Sequence, residues 1–248
     1  MSFWRGVGVA GLSVIVVLAG CHKGVKVARQ PVAPAVTYPQ VTTGPRAETA
    51  PKVETVPQAE VRGRPILTEV GLASWYGPPY SGRKGADGTV YDQNAMTAAH
   101  LTLPLGTMAR VTNIETGQSV VVRITDRGPF VHGRILDLSL AAAKATGVYR
   151  AGVAKVRVEA FAAPNAPASS IPGGRWCVQI GAFMNQEDAL SLKSDLMRRY
   201  TTAKVIEFAG PTGHWVRINP KFPDKGTAEH VAESIHVPDA EPFLIRLD

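Results

Sequence analysis

The sequence predicts a mainly β protein: a small closed barrel, then an α+β unit of order βαββαβ, both preceded by a disordered N-terminal tether. Three observations predict this. Between residues 69 and 160 short strand-like runs dominate and little helix-forming sequence is available, a pattern that a closed barrel accommodates without leaving edges. Residues 175 to 248 interleave strand patterns with two helix patterns. Residues 21 to 65 carry prolines at 31, 34, 39, 45, 51, 57 and 65 and show no apolar periodicity.

The N-terminus reads as a leader, residues 1 to 20. Arg5 supplies a positive start, and Val7 to Ala19 is apolar but short for a membrane span. The run ends Leu18-Ala19-Gly20-Cys21 and resembles the bacterial lipobox, which implies acylation (palmitate) on Cys21. His22, rather than Asp, follows the cysteine, and by sorting rules this favours the outer membrane facing the periplasm. The tether has a contour limit of about 130 Å at about 3.1 Å per residue. Cys177 is the one other cysteine of the 248 residues, so no intrachain disulfide is expected, and it reads as a small half-buried hydrophobe.

Within the barrel segment, "GLASWYG" reads as a strand. "ARVTNIETGQSVVVRIT" reads as two strands turning near Gly117. "RILDLSLAAAKATG" is a strand running into one helix, capped by Ser139 and stopped by Gly147, with Asp137 bracing the helix start. "VAKVRVEAF" closes the barrel, and residues 161 to 174, rich in Ala, Pro and Ser, form a linker. In the second unit "WCVQIGAF" alternates, with Trp176, Val178 and Ile180 on one face and Cys177, Gln179 and Phe183 on the other. A helix follows, capped by Asn185, with the stripe Ala189, Leu192, Leu196 and Tyr200. Two strands, "AKVIEFA" and "HWVRINP", a helix "KGTAEHVAESI" and a strand "PFLIRLD" complete the order. Two helices cover one sheet face. The other is expected to stay open, projecting Gln179, Trp215, Arg217 and Arg246.

Groups able to do chemistry are few. They are Asp126, where the strand "VVVRIT" stops at "DRGPF", His100, His132 and the acids Asp87, Asp92 and Asp137. No Cys or His cluster has metal spacing, no phosphate loop or serine elbow is present, and no cofactor is expected. The net charge of +7 fits an anionic or carboxylate-bearing partner. Asp126 alone also reads as a turn former.

"GLASWYG", "MTAAHLTLPLGTMARVTN", "VVVRITDRGPF" and "RILDLSLAAAKATG" resemble the rare lipoprotein A family, whose fold is a double-psi β-barrel; "WCVQIGAFMNQEDALSLKSDL" with "HWVRI" resembles a SPOR domain. The resemblance implies a lytic transglycosylase, a lyase that cuts peptidoglycan and so serves cell wall organisation. Its SPOR domain would bind denuded glycan strands at the division septum. It implies Asp126 as acid/base and His100 as its helper. The family's acid in Ala-Asn-Gly-Glu falls on Thr89 of "ADGT", which cannot exchange a proton near neutral pH, and Ser81 and Gly85 of "SGRKG" also depart from the family pattern. Weak activity is therefore expected.

Arg83, Arg127, Trp75 and Tyr76 are expected to bind substrate in the barrel, and Gln179, Phe183, Trp215 and Arg217 on the SPOR face. The expected partners are peptidoglycan, the membrane through a lipid anchor, and division-site proteins. A βαββαβ sheet is also the layout of RNA-binding folds, but RNP-like aromatics are missing and the leader places the chain outside the cytoplasm, so no nucleic acid is expected. Two alternatives share the barrel: a non-catalytic peptidoglycan-binding lipoprotein, and an expansin-like loosener of glycan packing.

Overall fold

Small and branched apolar residues at alternate positions let six short strands curl tightly. These are β1 (Leu67–Trp75), β2 (Thr97–Ala99), β3 (Met108–Asn113), β4 (Ser119–Asp126), β5 (Arg134–Leu138) and β6 (Ala154–Phe161). In the computed structural model they close in the order β1-β5-β2-β4-β3-β6. The residues described are 61, 63–77, 80–161, 173–207, 213–238 and 240–248. The expected leader, Cys21, the tether up to residue 60 and most of the 161–174 linker lie outside them.

Two pairings are parallel, β1 with β5 and β2 with β4, and the rest are antiparallel. Ala73, Ala98, Val111, Val122, Ile124, Leu136, Leu138, Val156 and Val158 fill the core with no exposed surface. The three-residue β2 was not expected; "TAA" is too short to carry a period-two signal. The single helix expected after β5 is two, α1 (Leu140–Ala145) and α2 (Val148–Ala151). Gly147 sits between them at φ 74°, where the chain turns out of the first helix. The Ser139 hydroxyl does cap α1, accepting from the Ala142 N–H at 3.2 Å.

The second unit runs β7 (Trp176–Phe183), α3 (Gln186–Met197), β8 (Lys204–Glu207), β9 (His214–Ile218), α4 (Lys225–Glu233) and β10 (Glu241–Arg246), the expected order. Its sheet has the order β10-β7-β9-β8. Val178, Ile180, Val216 and Ile218 pack with Ala189, Ala228 and Val231 of the helices, and the expected stripe residues Leu192, Leu196 and Tyr200 join them.

Three expectations about the other face fail. Phe183 faces the helix-side core, because the β7–β9 register shifts between Ile180 and Phe183 and inverts the alternation. Ala182 takes the opposite side, beside Trp215. Arg246 pairs across the ladder with Trp176 and lies by that ring, on the helix side. Finally, the face is not open. The barrel covers it, and Gln179 and Trp215 have no exposed surface. Cys177 is likewise fully buried rather than half-buried, and burial raises its thiol pKa.

Candidate active site in the barrel and the covered sheet face

The apolar strand β4 delivers Asp126 to the barrel margin, where Gly128 and Pro129 end the ladder. The half-buried carboxylate accepts through Oδ1 from its neighbour's backbone, Arg127 N–H at 2.8 Å, and from Ala86 N–H at 3.0 Å. Burial raises its pKa. Those two hydrogen bonds and the Arg127 charge oppose the rise, and the Asp87 charge adds to it. An acid so placed keeps its proton at higher pH than a solvated aspartate.

The segment that departs from the family pattern builds the wall beside it. Asp87 N–H donates to Thr125 O at 3.1 Å, and Gly85 N–H to Thr89 O at 2.8 Å. A Cβ on Gly85 would lie 2.8 Å from Thr125 O, so a side chain there would push this wall away from β4. Asp87 is thereby held close to Asp126 with its side chain 9% exposed. Thr89, exposed, donates both its N–H (2.9 Å) and its hydroxyl (2.6 Å) to Asp87 Oδ1. Asp87 Oδ2 is buried with no hydrogen-bond donor, and the nearest cation, Arg123, is 4.0 Å away. Asp92 turns elsewhere and accepts from Asn94 N–H at 2.8 Å.

Tyr76 and Tyr80 meet edge to face at 6.0 Å, and Tyr91 lies 4.5 Å from Tyr76. Burial raises the pKa of both Tyr76 and Tyr80, and the Asp126 and Asp137 carboxylates push both further in the same direction. Arg83 and Arg134 pull Tyr80 back, so both cations border the same cleft. Asp137 does not brace α1. It accepts from the Ser74 hydroxyl at 2.5 Å and faces Arg134 at 3.7 Å, and burial raises its pKa. Tyr80, Arg134 and Asp137 were missed as cleft residues. The one signal was an acid lying between the buried leucines Leu136 and Leu138.

Trp75 and His100 are placed otherwise than expected. Successive strand residues point to opposite sides, so Tyr76 faces the cleft while Trp75 stacks on Tyr149 at 5.0 Å against the barrel core. His100 is 3% exposed. Its Nε2 lies 3.2 Å from Glu69 Oε2, and its Nδ1 accepts from Thr102 and Leu103 N–H at 3.1 and 3.0 Å. Both ring nitrogens are thus engaged away from Asp126, and the two residues join only through main chain, His100 N–H to Asp126 O at 3.1 Å.

Arg127 is not at the substrate cleft in this arrangement. Its guanidinium donates to the carbonyls of His100 (3.0 Å) and Leu103 (2.8 Å) in the barrel. It also donates to those of Arg246 and, at 2.9 Å, Asp248 at the chain end. Burial, with Arg246 nearby, lowers its pKa to about 10. Leu105 N–H to Asp248 O (3.2 Å) and Arg246 N–H to Leu101 O (3.0 Å) extend this seam. Beside it the ring of Phe130 lies 4.9 Å from Trp215 and 5.7 Å from Phe243. Arg217, half-buried, donates to Gln179 Oε1 at 2.9 Å.

Fold and site define a protein with a carboxylate-bearing barrel joined to a sheet with an aromatic and planar-polar face. Residues 68–158 match the family model described as "Lytic transglycolase" and residues 172–246 the model described as "SPOR domain". The chain is 57% identical over 89 residues to the "Probable endolytic peptidoglycan transglycosylase RlpA" of Synechocystis sp., covering 36% of this chain and 28% of that one. It is 40% identical over 167 residues to the "Endolytic peptidoglycan transglycosylase RlpA" of Campylobacter jejuni, covering 59% of this chain and 61% of that one. The protein of the same name from Vibrio cholerae is 37% identical over 173 residues, covering 68% and 65%. The barrel is a double-psi β-barrel of the lytic transglycolase type and the second unit is a SPOR domain, so the resemblance to the rare lipoprotein A family is borne out. The chain spans between 28% and 65% of the length of these curated relatives.

Proposed function

We propose that this protein is a lytic transglycosylase acting on peptidoglycan glycan strands and directed to peptide-free glycan by its SPOR domain. The observation that carries this reading is the desolvated Asp126 carboxyl at the barrel margin, held by two backbone N–H groups with its pKa raised. Asp126 gives its proton to the leaving N-acetylglucosamine oxygen as the muramyl C1–O bond breaks. The resulting carboxylate then takes the proton of the muramyl 6-hydroxyl as that oxygen closes on C1. The product is a 1,6-anhydro end and no water is consumed. Asp87 stands beside this cycle in place of the acid that Thr89 lacks: burial is the main cause that raises the Asp126 pKa, and the neighbouring Asp87 carboxylate adds to it. His100 acts as a positioning residue through main chain. Tyr76, Tyr80, Arg83 and Arg134 offer ring faces and cations to sugar and lactyl carboxylate.

The lipid anchor at Cys21 and the outer membrane belong to the same proposal and rest on the leader sequence, and the septum and division-site partners rest on the SPOR domain. The second reading, a non-catalytic glycan clamp, is favoured by one observation: Thr89 is exposed and its hydroxyl is engaged with Asp87. The deciding experiment incubates the purified chain with denuded sacculi and analyses the muropeptides. New anhydro-muropeptides that disappear in Asp126→Asn are the expected result. Retention on the sacculi without new anhydro ends, at every pH tried, would establish the clamp.

A further inference from the structure

The side chains that would read sugar on the SPOR sheet are the ones the barrel conceals. Trp215 has no exposed surface and packs with Phe130, Ile206 and Phe243. Gln179, also fully buried, is bonded to Arg217 beneath the same cover. A glycan strand bound to this face requires its aromatic platform, and so does the barrel loop now seated there, whose Phe130 packs on Trp215 and Phe243.

We propose that the face is a shared docking surface: the Arg127–Phe130 loop of the barrel occupies it in the closed arrangement, and a peptide-free glycan strand displaces that loop by taking the same side chains. This rests on the SPOR domain being the glycan-binding unit. The contact is built to be exchanged. Its apolar centre is one inserted ring, Phe130, between Trp215 and Phe243. Its polar part is the Arg127 guanidinium, bridging barrel carbonyls and those of Arg246 and Asp248, with two main-chain hydrogen bonds (Leu105 N–H to Asp248 O, Arg246 N–H to Leu101 O) and the exposed His132–Glu241 pair beside it. A sugar ring can replace a phenyl ring on an indole, and water can replace the two chain-end carbonyls on Arg127.

The loop that moves is the one that follows Asp126. Arg127 holds Asp126 Oδ1 with its backbone N–H and the second domain with its side chain. Opening keeps its bonds to His100 O and Leu103 O but removes those to Arg246 and Asp248. The guanidinium donors released from Arg246 and Asp248 are then free to solvent on the residue that follows Asp126. Glycan capture by one domain thus frees this loop of the other.

The test uses the full chain and denuded glycan strands. A face hidden in most molecules binds with an affinity reduced by the open fraction. Phe130→Asp, which lies outside both the proposed catalytic groups and the sheet face, is expected to tighten glycan binding about tenfold if roughly one native molecule in ten is open. Amide exchange across residues 128–133 of the native chain is expected to rise at saturating glycan. Equal binding by native and Phe130→Asp chains, both cooperatively folded, overturns the shared surface while leaving SPOR glycan binding intact. Exchange that stays unchanged on binding overturns it even if the variant fails to fold. Glycan binding by neither chain overturns both the shared surface and the SPOR assignment.

Discussion

Asp126 ends strand β4 of the closed barrel and Trp215 lies on the inner strand β9 of the second sheet, and the molecule treats them in opposite ways. The carboxylate is left half-buried in a cleft bordered by Tyr76, Tyr80, Asp87 and Arg83, with backbone donors on one oxygen. The indole is sealed under Phe130 with no exposed surface. A charge cannot be sealed without an ion partner, so the barrel keeps its acid at the margin and accepts a raised pKa. An aromatic face incurs no such cost and gains from being covered. On the proposed function, the barrel keeps its reacting group poised while the SPOR sheet keeps its binding group hidden.

The largest break in this contrast is Asp126→Asn. It is expected to lower anhydro-muropeptide formation by about 10²–10⁴-fold, the usual worth of a general acid/base. Its effect on stability has the opposite sign. With a raised folded pKa, the folded state binds more protons than the unfolded state between the two pKa values, so ionisation costs stability as pH rises. Thermal melting of Asp126→Asn should exceed that of the native chain near neutral pH, and the difference should vanish below the ordinary aspartate range.

Next is the seam. Arg127→Ala leaves the buried carbonyls of His100 and Leu103 without their donor. Its cost is about 3 kcal/mol, to be read from urea unfolding. Arg127→Lys should recover only part, since an ammonium cannot reproduce the planar fork. Ile124→Ala probes the barrel core alone and is expected to cost about 2–5 kcal/mol. It should weaken the barrel without tightening glycan binding.

A smaller effect is expected from Asp87→Asn. Removing this charge lowers the Asp126 pKa, so the basic limb of the pH–activity profile should move to lower pH. A limb that stays in place would separate Asp87 from the acid. The smallest effect is that of His132→Ala. His132 pairs with Glu241 across the seam at 3.2 Å, but both side chains are largely exposed. The melting temperature should not change measurably.

The expected fold was legible because its signals are local. The apolar run in "VVVRIT", the alternation in "VAKVRVEAF", the Ser139 cap and the helix stripe through Ala189 each need only a few neighbouring residues. The site was legible in part. Asp126 stands out where an apolar run stops, whereas Tyr80, Arg134 and Asp137 join it only because β1, β5 and the 80–90 segment are folded against β4. Trp75 and Phe183 carried the right residue type and faced the wrong way, since one position along a strand, or one register shift, exchanges the two faces.

By itself, then, the sequence determined the order of elements, the two domains and the acid at the end of β4, all of which follow from periodicity and residue chemistry along the chain. Tertiary structure alone decided that Asp87 approaches Asp126 where Thr89 cannot act, that the His100 ring turns to Glu69, and that Phe130 covers Trp215. Those outcomes depend on distances between residues far apart in the chain. Such distances are set by how the strands close and how two surfaces meet, and no local pattern encodes them.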